Sequence, residues 1–187
     1  MATLSLPRRH KMDVDAYHRM AEVGILPPDV RVELIEGEVL DMVPIGSEHA
    51  GRTGRLQRRL IATLQQVAIV TASSPLRIDA WNEPEPDILV LRPRADDYIE
   101  ALPTPADVLL VVEVAKASRD FDRTVKAELY ARAGVPEYWI VDLVDRCVEV
   151  CRGPGAEGWA SRERVHAGAL AINALPQGAI EVDALFA

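Results

Sequence analysis

Residues 108–115, VLLVVEVA, constrain this chain more than any other stretch. Seven of the eight are apolar and four are valine, with no polar alternation. A short β-branched run of that kind predicts a central strand buried on both faces, as happens where helices cover both sides of a sheet. The exception is Glu113. A carboxylate in such a strand costs several kcal/mol unless it is paired, hydrogen-bonded or bound to a cation. Packing alone does not account for it.

The remaining pattern mixes strands and helices around one sheet. A helix is predicted from Asp13 to Ala21, ended by Gly24 and Pro27-Pro28. RVELIEGEVLDM reads as a hairpin, Arg31–Ile35 and Glu38–Met42 around Glu36-Gly37. The alternation makes Glu33 a solvent-facing acid. With Ser47 as N-cap, a second helix runs from about Glu48 to Gln66 on the stripe Leu56, Leu60, Leu64. Strands come next at Val67–Thr71, Leu76–Ile78, Asp87–Leu91 and Val108–Ala115, then a helix over Asp122–Ala133 capped by Gly134. Glu137–Leu143, Cys147–Arg152, Trp159–Val165 and Ile180–Leu185 complete the strands. The class is α/β or α+β in a single domain over 1–187, with its core at about 10–155.

Composition narrows the partners. Lys and Arg total 21 against 29 Asp and Glu, a net charge of -8, which argues against a broadly basic nucleic-acid surface. The basic residues are nonetheless concentrated: Arg52, Arg55, Arg58 and Arg59 share the second helix and are the candidates for contacts to a DNA backbone. Cys147 and Cys151 lie four apart in a strand, roughly 13 Å, too far for a disulfide, and form neither a framework nor a zinc site. No apolar run reaches signal-peptide or membrane-span length, so a soluble cytoplasmic protein without a membrane role is expected.

Asp87 opens its strand directly after Pro86, and Glu113 interrupts the next long one. Two carboxylates on neighbouring strands repel unless a cation lies between them, and hard oxygen donors select Mg²⁺ or Mn²⁺. Such an ion suits phosphodiester hydrolysis, because it polarises a phosphoryl oxygen and acidifies water. The bland readings are a turn or cap residue for Asp87 and a salt bridge to a helix arginine for Glu113.

Pro86-Asp87 followed by VVEV is similar to the metal-binding half of the PD-(D/E)xK nuclease signature. More specifically, VVEVAKASRDFDRTVKAELYARAGVPEYWIVDL, RVELIEGEVLDMVPIGSEHA and EPEPDILVLRPRAD resemble sections of the Uma-type family of restriction endonucleases, in the family's order along the chain. The resemblance implies a restriction-endonuclease-like fold, a mixed central sheet flanked by helices. It also implies a divalent metal on Asp87 and Glu113, polar site positions at Glu33 and His49, and a catalytic lysine at Lys126. DNA is then the substrate, a homodimer the expected state, and no small-molecule cofactor is needed.

The signature's lysine two residues beyond the Glu is absent, that position being Ala115. Lys116 cannot replace it, since strand parity turns it to the opposite face. Lys126, on the following helix, can reach back; its bland reading is a solvated helix face. Tyr130, one turn later, reads as core packing with possible support of Lys126. The missing lysine and the acidic balance leave an alternative, a catalytically degenerate nuclease fold acting as a DNA- or protein-interaction module. A metal-free carboxylate hydrolase of the glycosidase type lacks the aromatic residues of a sugar cleft, at 5% aromatic.

Overall fold

The computed structural model describes residues 9–65 and 67–187, and these fall into two compact units. The first is the described part of Met1–Met42 together with Ile78–Pro84. Helix α1 (Val14–Glu22) starts where the Asp13 side chain accepts the Ala16 N–H, which satisfies one of the orphan donors of a first turn. Strands β1 (Val32–Ile35) and β2 (Glu38–Asp41) form the expected hairpin. Its turn residues Glu36 and Gly37 have φ of 51° and 74°. Positive φ at both central positions is the turn whose twist matches paired strands. Glu33 is buried and not solvent-facing, because the pairing of Leu34 with Glu83 leaves β1 in the interior of this unit.

The second unit holds Val43–Arg77 and Glu85–Ala187. Its centre is a mixed six-stranded sheet, ordered β3 (Ile69–Ala72), β4 (Ile88–Leu91), β5 (Val108–Ala115), β6 (Glu137–Asp142), β7 (Cys147–Gly155) and β8 (Gly158–Val165). All pairings are antiparallel except β5 with β6. That parallel pair needs a crossover. The crossover is helical: α3 (Arg119–Phe121), a π-helical turn (Asp122–Lys126) and α4 (Ala127–Arg132). Gly134 ends α4 at φ 76°, with Gly134 N–H on Ala131 O and Val135 N–H on Tyr130 O. Those two bonds are the Schellman pattern, which needs a residue without a Cβ penalty at that place.

The two faces of this sheet differ in chemistry. One carries Ile88, Val90, Leu110, Val112, Val114, Trp139, Val141, Val148 and Val150, packed on Leu56, Leu60 and Leu64 of α2 (Ser47–Leu64) and on the C-terminal elements. The other carries Glu113, Asp142 and Glu149 and is covered by the crossover helices, whose Arg123 and Lys126 meet those acids. Glu113 is thus the first of several acids on one polar face. β5 is buried along all eight residues, as the run predicts.

Several boundaries differ from the sequence pattern. Helix α2 begins at Ser47, so Gly46 is its cap; it ends at Leu64, and Gln66 lies outside the described residues. Leu76–Ile78 forms no strand. The tail contains β9 (Ala169–Ile172) and β10 (Leu175–Glu181), then the short helix α5 (Asp183–Phe186) where the pattern predicts a strand. A Cβ on Gly178 would lie 2.4 Å from Leu64 Cδ2, so the glycine lets β10 approach α2. No described helix is long and apolar enough to cross a membrane.

Cys147 and Cys151 are buried and free. Burial pushes the Cys151 thiol from 9.0 up to about 11. Because the folded protein holds that proton more tightly, its contribution to stability is complete below pH 9.0 and is lost as pH rises through 11. A Tm falling across that window, and falling less in Cys151→Ala, is the expected result of thermal scans. A Tm independent of pH there contradicts it.

Candidate active site

Antiparallel register sets the two predicted acids at the same end of the β4–β5 pairing. Ile88 pairs with Val112 and Leu89 with Val111, so Asp87 and Glu113 each lie one residue beyond the last paired position. Both are buried, Asp87 at 8% and Glu113 at 4% exposure. Asp87 precedes β4 instead of opening it, and its Oδ2 accepts the Val114 N–H at 2.7 Å. That bond ties the acid to the strand carrying Glu113.

Each acid has a nitrogen partner from a different helix. His49 Nε2, on the first turn of α2, lies 3.1 Å from Asp87 Oδ2. An ionised carboxylate only accepts, so Nε2 carries the proton and Nδ1 faces the Thr53 hydroxyl at 3.5 Å. Glu113 Oε1 accepts from Lys126 Nζ at 2.9 Å and from the Tyr130 hydroxyl at 3.0 Å. Lys126 is 4% exposed, so it is buried instead of lying on a solvated helix face. Glu113 does form a salt bridge to a helix, but its partner is a lysine and not the arginine expected: it is Lys126, the residue that the resemblance marks.

The π-helical turn explains how Lys126 arrives there. Ala127 N–H reaches back five residues to Asp122 O. A π-bulge inserts a residue and changes the phase of the helix beyond it. Lys126 and Tyr130, four apart, then present both donors to one acid. Tyr138 donates to Asp122 O at 3.1 Å and stacks edge-on with Tyr130. Burial, then the charges of Asp122, Glu113, Cys151 and Asp87, hold the Tyr138 hydroxyl well above its ordinary value. One buried hydroxyl therefore feels the acids of three separate elements.

Other candidates lie elsewhere. Lys116 pairs with Glu48 of α2 at 2.7 Å, on the face opposite Glu113, as parity requires. Glu33 belongs to the hairpin unit. Arg52 and Arg55 of the expected basic face are engaged by the last turn: Arg52 donates to Leu185 O at 2.8 Å, and Arg55 to Ala184 O at 3.3 Å. Arg58 and Arg59 are exposed.

Two features escape the sequence pattern. Packing is the role that pattern gives Tyr130, yet its hydroxyl bonds Glu113; its spacing of four from Lys126 is the available signal. The second is a charged cluster on β6 and β7. Among the described residues, the His, Cys, Asp and Glu ligand atoms that gather as three within 4.8 Å belong to Asp142, Cys147 and Glu149. A cation already compensates these acids, because Arg123 bonds both carboxylates and Arg164 also reaches Glu149 at 3.1 Å. The fragment VEV in CVEVC repeats the pattern around Glu113, an acid between valines, and is the local sign of that cluster.

Asp87 and Glu113 offer carboxylate oxygens, the kind of donor that a hard divalent ion takes. Lys126 supplies a positive charge beside them, and His49 orients Asp87.

Comparison with known proteins places this geometry. A structure from Anabaena variabilis, described as a putative nuclease belonging to DUF820, superposes with a TM-score of 0.69. The match covers 89% of this chain and 96% of that one at 15% identity, so the likeness is one of fold. No protein with a curated description matches the chain. The Uma2 family, described as "Putative restriction endonuclease", matches residues 14–182, and the chain belongs to that family.

Proposed function

We propose that this chain hydrolyses phosphodiester bonds of DNA at a divalent cation, Mg²⁺ or Mn²⁺, held by Asp87 and Glu113. The observation that carries the reading is two buried acids at one end of the β4–β5 pairing, with Lys126 and Tyr130 on Glu113, and with His49 and the Val114 N–H on Asp87. A cation there would polarise a phosphoryl oxygen and acidify an attacking water.

The chain's own groups have distinct work. His49 and the Val114 amide keep the Asp87 carboxylate oriented. The Tyr130 hydroxyl holds Glu113 while Lys126 exchanges that acid for the reacting phosphate, where an ammonium stabilises developing negative charge. Arg58 and Arg59 are the exposed candidates for backbone phosphates, with Arg52 and Arg55 behind them on the same helix. Both strands of a duplex need a site each, so two copies are expected to act together on DNA.

The test is nicking of supercoiled plasmid with Mn²⁺ by wild type, Asp87→Ala and Lys126→Ala. Wild type is expected to nick, and each variant to lose about a hundredfold or more. Equal rates in all three, or nicking that persists in EDTA, overturns the proposal.

A further inference from the structure

The cluster of Arg123 with Asp142 and Glu149 takes no part in the chemistry above, yet it adjoins the element that delivers Lys126. Arg123 lies three residues before Lys126 in the same π-helical turn. Its guanidinium meets Asp142 Oδ2 at 2.6 Å, Asp145 Oδ2 at 3.5 Å and the Glu149 carboxylate. Asp142 itself is fixed, since its Oδ1 accepts the N–H groups of Val144 and Asp145 at 2.8 and 3.0 Å. Burial acts against the Arg123 charge, but the bond and charge of Glu149 outweigh it and raise its proton affinity.

Strand register gives the cluster its meaning. Glu113 is beside Ile140, and Ile140 is beside Glu149; Ala115 is beside Asp142. The acids bound by Lys126 and by Arg123 therefore lie on one sheet face, on β5 and on β6 and β7. The crossover helix is docked at three charged points, Arg119, Arg123 and Lys126, the last two three residues apart within the π-helical turn. A π-helical turn is uncommon without such restraint. Loss of one docking point lets the segment relax to α-helical winding, and one residue of phase is about 100°. That rotation takes the Lys126 ammonium away from Glu113.

We infer that Arg123 is a positioning residue: clamped by Asp142 and Glu149, it fixes the π-helical turn so that Lys126 and Tyr130 reach Glu113. The inference rests on the role proposed for Lys126, and its test separates the two.

Arg123→Gln and Arg123→Lys are compared with wild type, with Lys126→Ala alone and combined with Arg123→Gln, and with Arg164→Gln. Arg164 touches the same Glu149 from β8 and does not belong to the turn, so it controls for general loss of an ion pair. Two quantities are read, Mn²⁺-dependent plasmid nicking and amide hydrogen exchange by segment. Arg123→Gln is expected to lower kcat about a hundredfold with KM within about twofold, since a displacement near 1 Å suffices for that. On the Lys126→Ala background it is expected to cost nothing more. Exchange in 122–127 should quicken about tenfold while β5 and β6 keep their protection. Arg123→Lys, which retains charge without the planar fork, should fall between, and it serves if Arg123→Gln does not fold. Arg164→Gln should match wild type.

Unchanged exchange in 122–127, or an additive loss on the Lys126→Ala background, overturns the positioning role. If wild type does not nick plasmid, the nuclease reading fails on its own. The exchange data then decide Arg123 separately: quickening confined to 122–127 supports the clamp, and its absence or its spread over the whole sheet refutes it.

Discussion

Glu113→Ala is expected to destabilise the protein by about 3–5 kcal/mol, the range for breaking a buried ion pair from one side. The cause lies less in the lost attraction than in what remains. Lys126 stays 4% exposed without the carboxylate that accepts from its Nζ, and the Tyr130 hydroxyl loses that same acceptor. The void left by the side chain adds to that cost. For a chain of this size the loss is a fall in Tm of roughly 6–20 °C. Replacing both partners, Glu113→Leu with Lys126→Met, should recover most of the loss, because two apolar groups of similar volume need no solvation. Thermal scans of wild type, the single variant and the double variant in EDTA decide the matter. A single-variant loss below about 1 kcal/mol would mean that water reaches Lys126 and that the pair is not buried in solution.

Lys126→Met is the second large case, and its sign depends on divalent ions. Without the ammonium, the buried Glu113 has less positive charge near it. In EDTA a loss of about 3 kcal/mol or more is expected from a buried acid that has lost the ammonium bonded to it. An ion that binds only the folded state returns about 2.7 kcal/mol at a hundred times its Kd. Mn²⁺ should therefore raise the Tm of Lys126→Met by several degrees, and by more than it raises that of wild type, where the ammonium competes for the same oxygen. Nicking should not return. Equal Mn²⁺ increments in wild type, Lys126→Met and Asp87→Ala would show that the ion binds somewhere other than at these acids.

The central acid is legible because a buried strand cannot hide a carboxylate: Glu113 stands out in VLLVVEVA whatever surrounds it. Parity is legible too, and it correctly sends Lys116 to Glu48 on the far face. The helix phase is not. Sequence periodicity assumes about 3.6 residues per turn, whereas Asp122–Lys126 winds more widely. That change buries Lys126, which composition would leave in solvent. Glu33 defeats the pattern because alternation in a hairpin only says which residues share a side. Whether that side is wet depends on what covers it, and here residue 83 pairs with residue 34 across 49 positions. The engagement of Arg52 and Arg55 escapes the sequence for the same reason: a basic stripe is visible in it, but their bonds to carbonyls at 184–187 are contacts across the whole second unit.

Features that depend on a spacing of two or of about four residues were set by the chain alone: the all-buried β5, the I′-type hairpin turn, the glycine cap of α4 and the parity of residues 113 to 116. Features that depend on two distant segments meeting were decided only by the folded sheet. Asp87 is tied to the strand of Glu113 through the Val114 N–H, and Lys126 meets Glu113 through a crossover whose winding no local pattern encodes. Side-chain period is a property of each backbone, whereas charge compensation is a property of the pair.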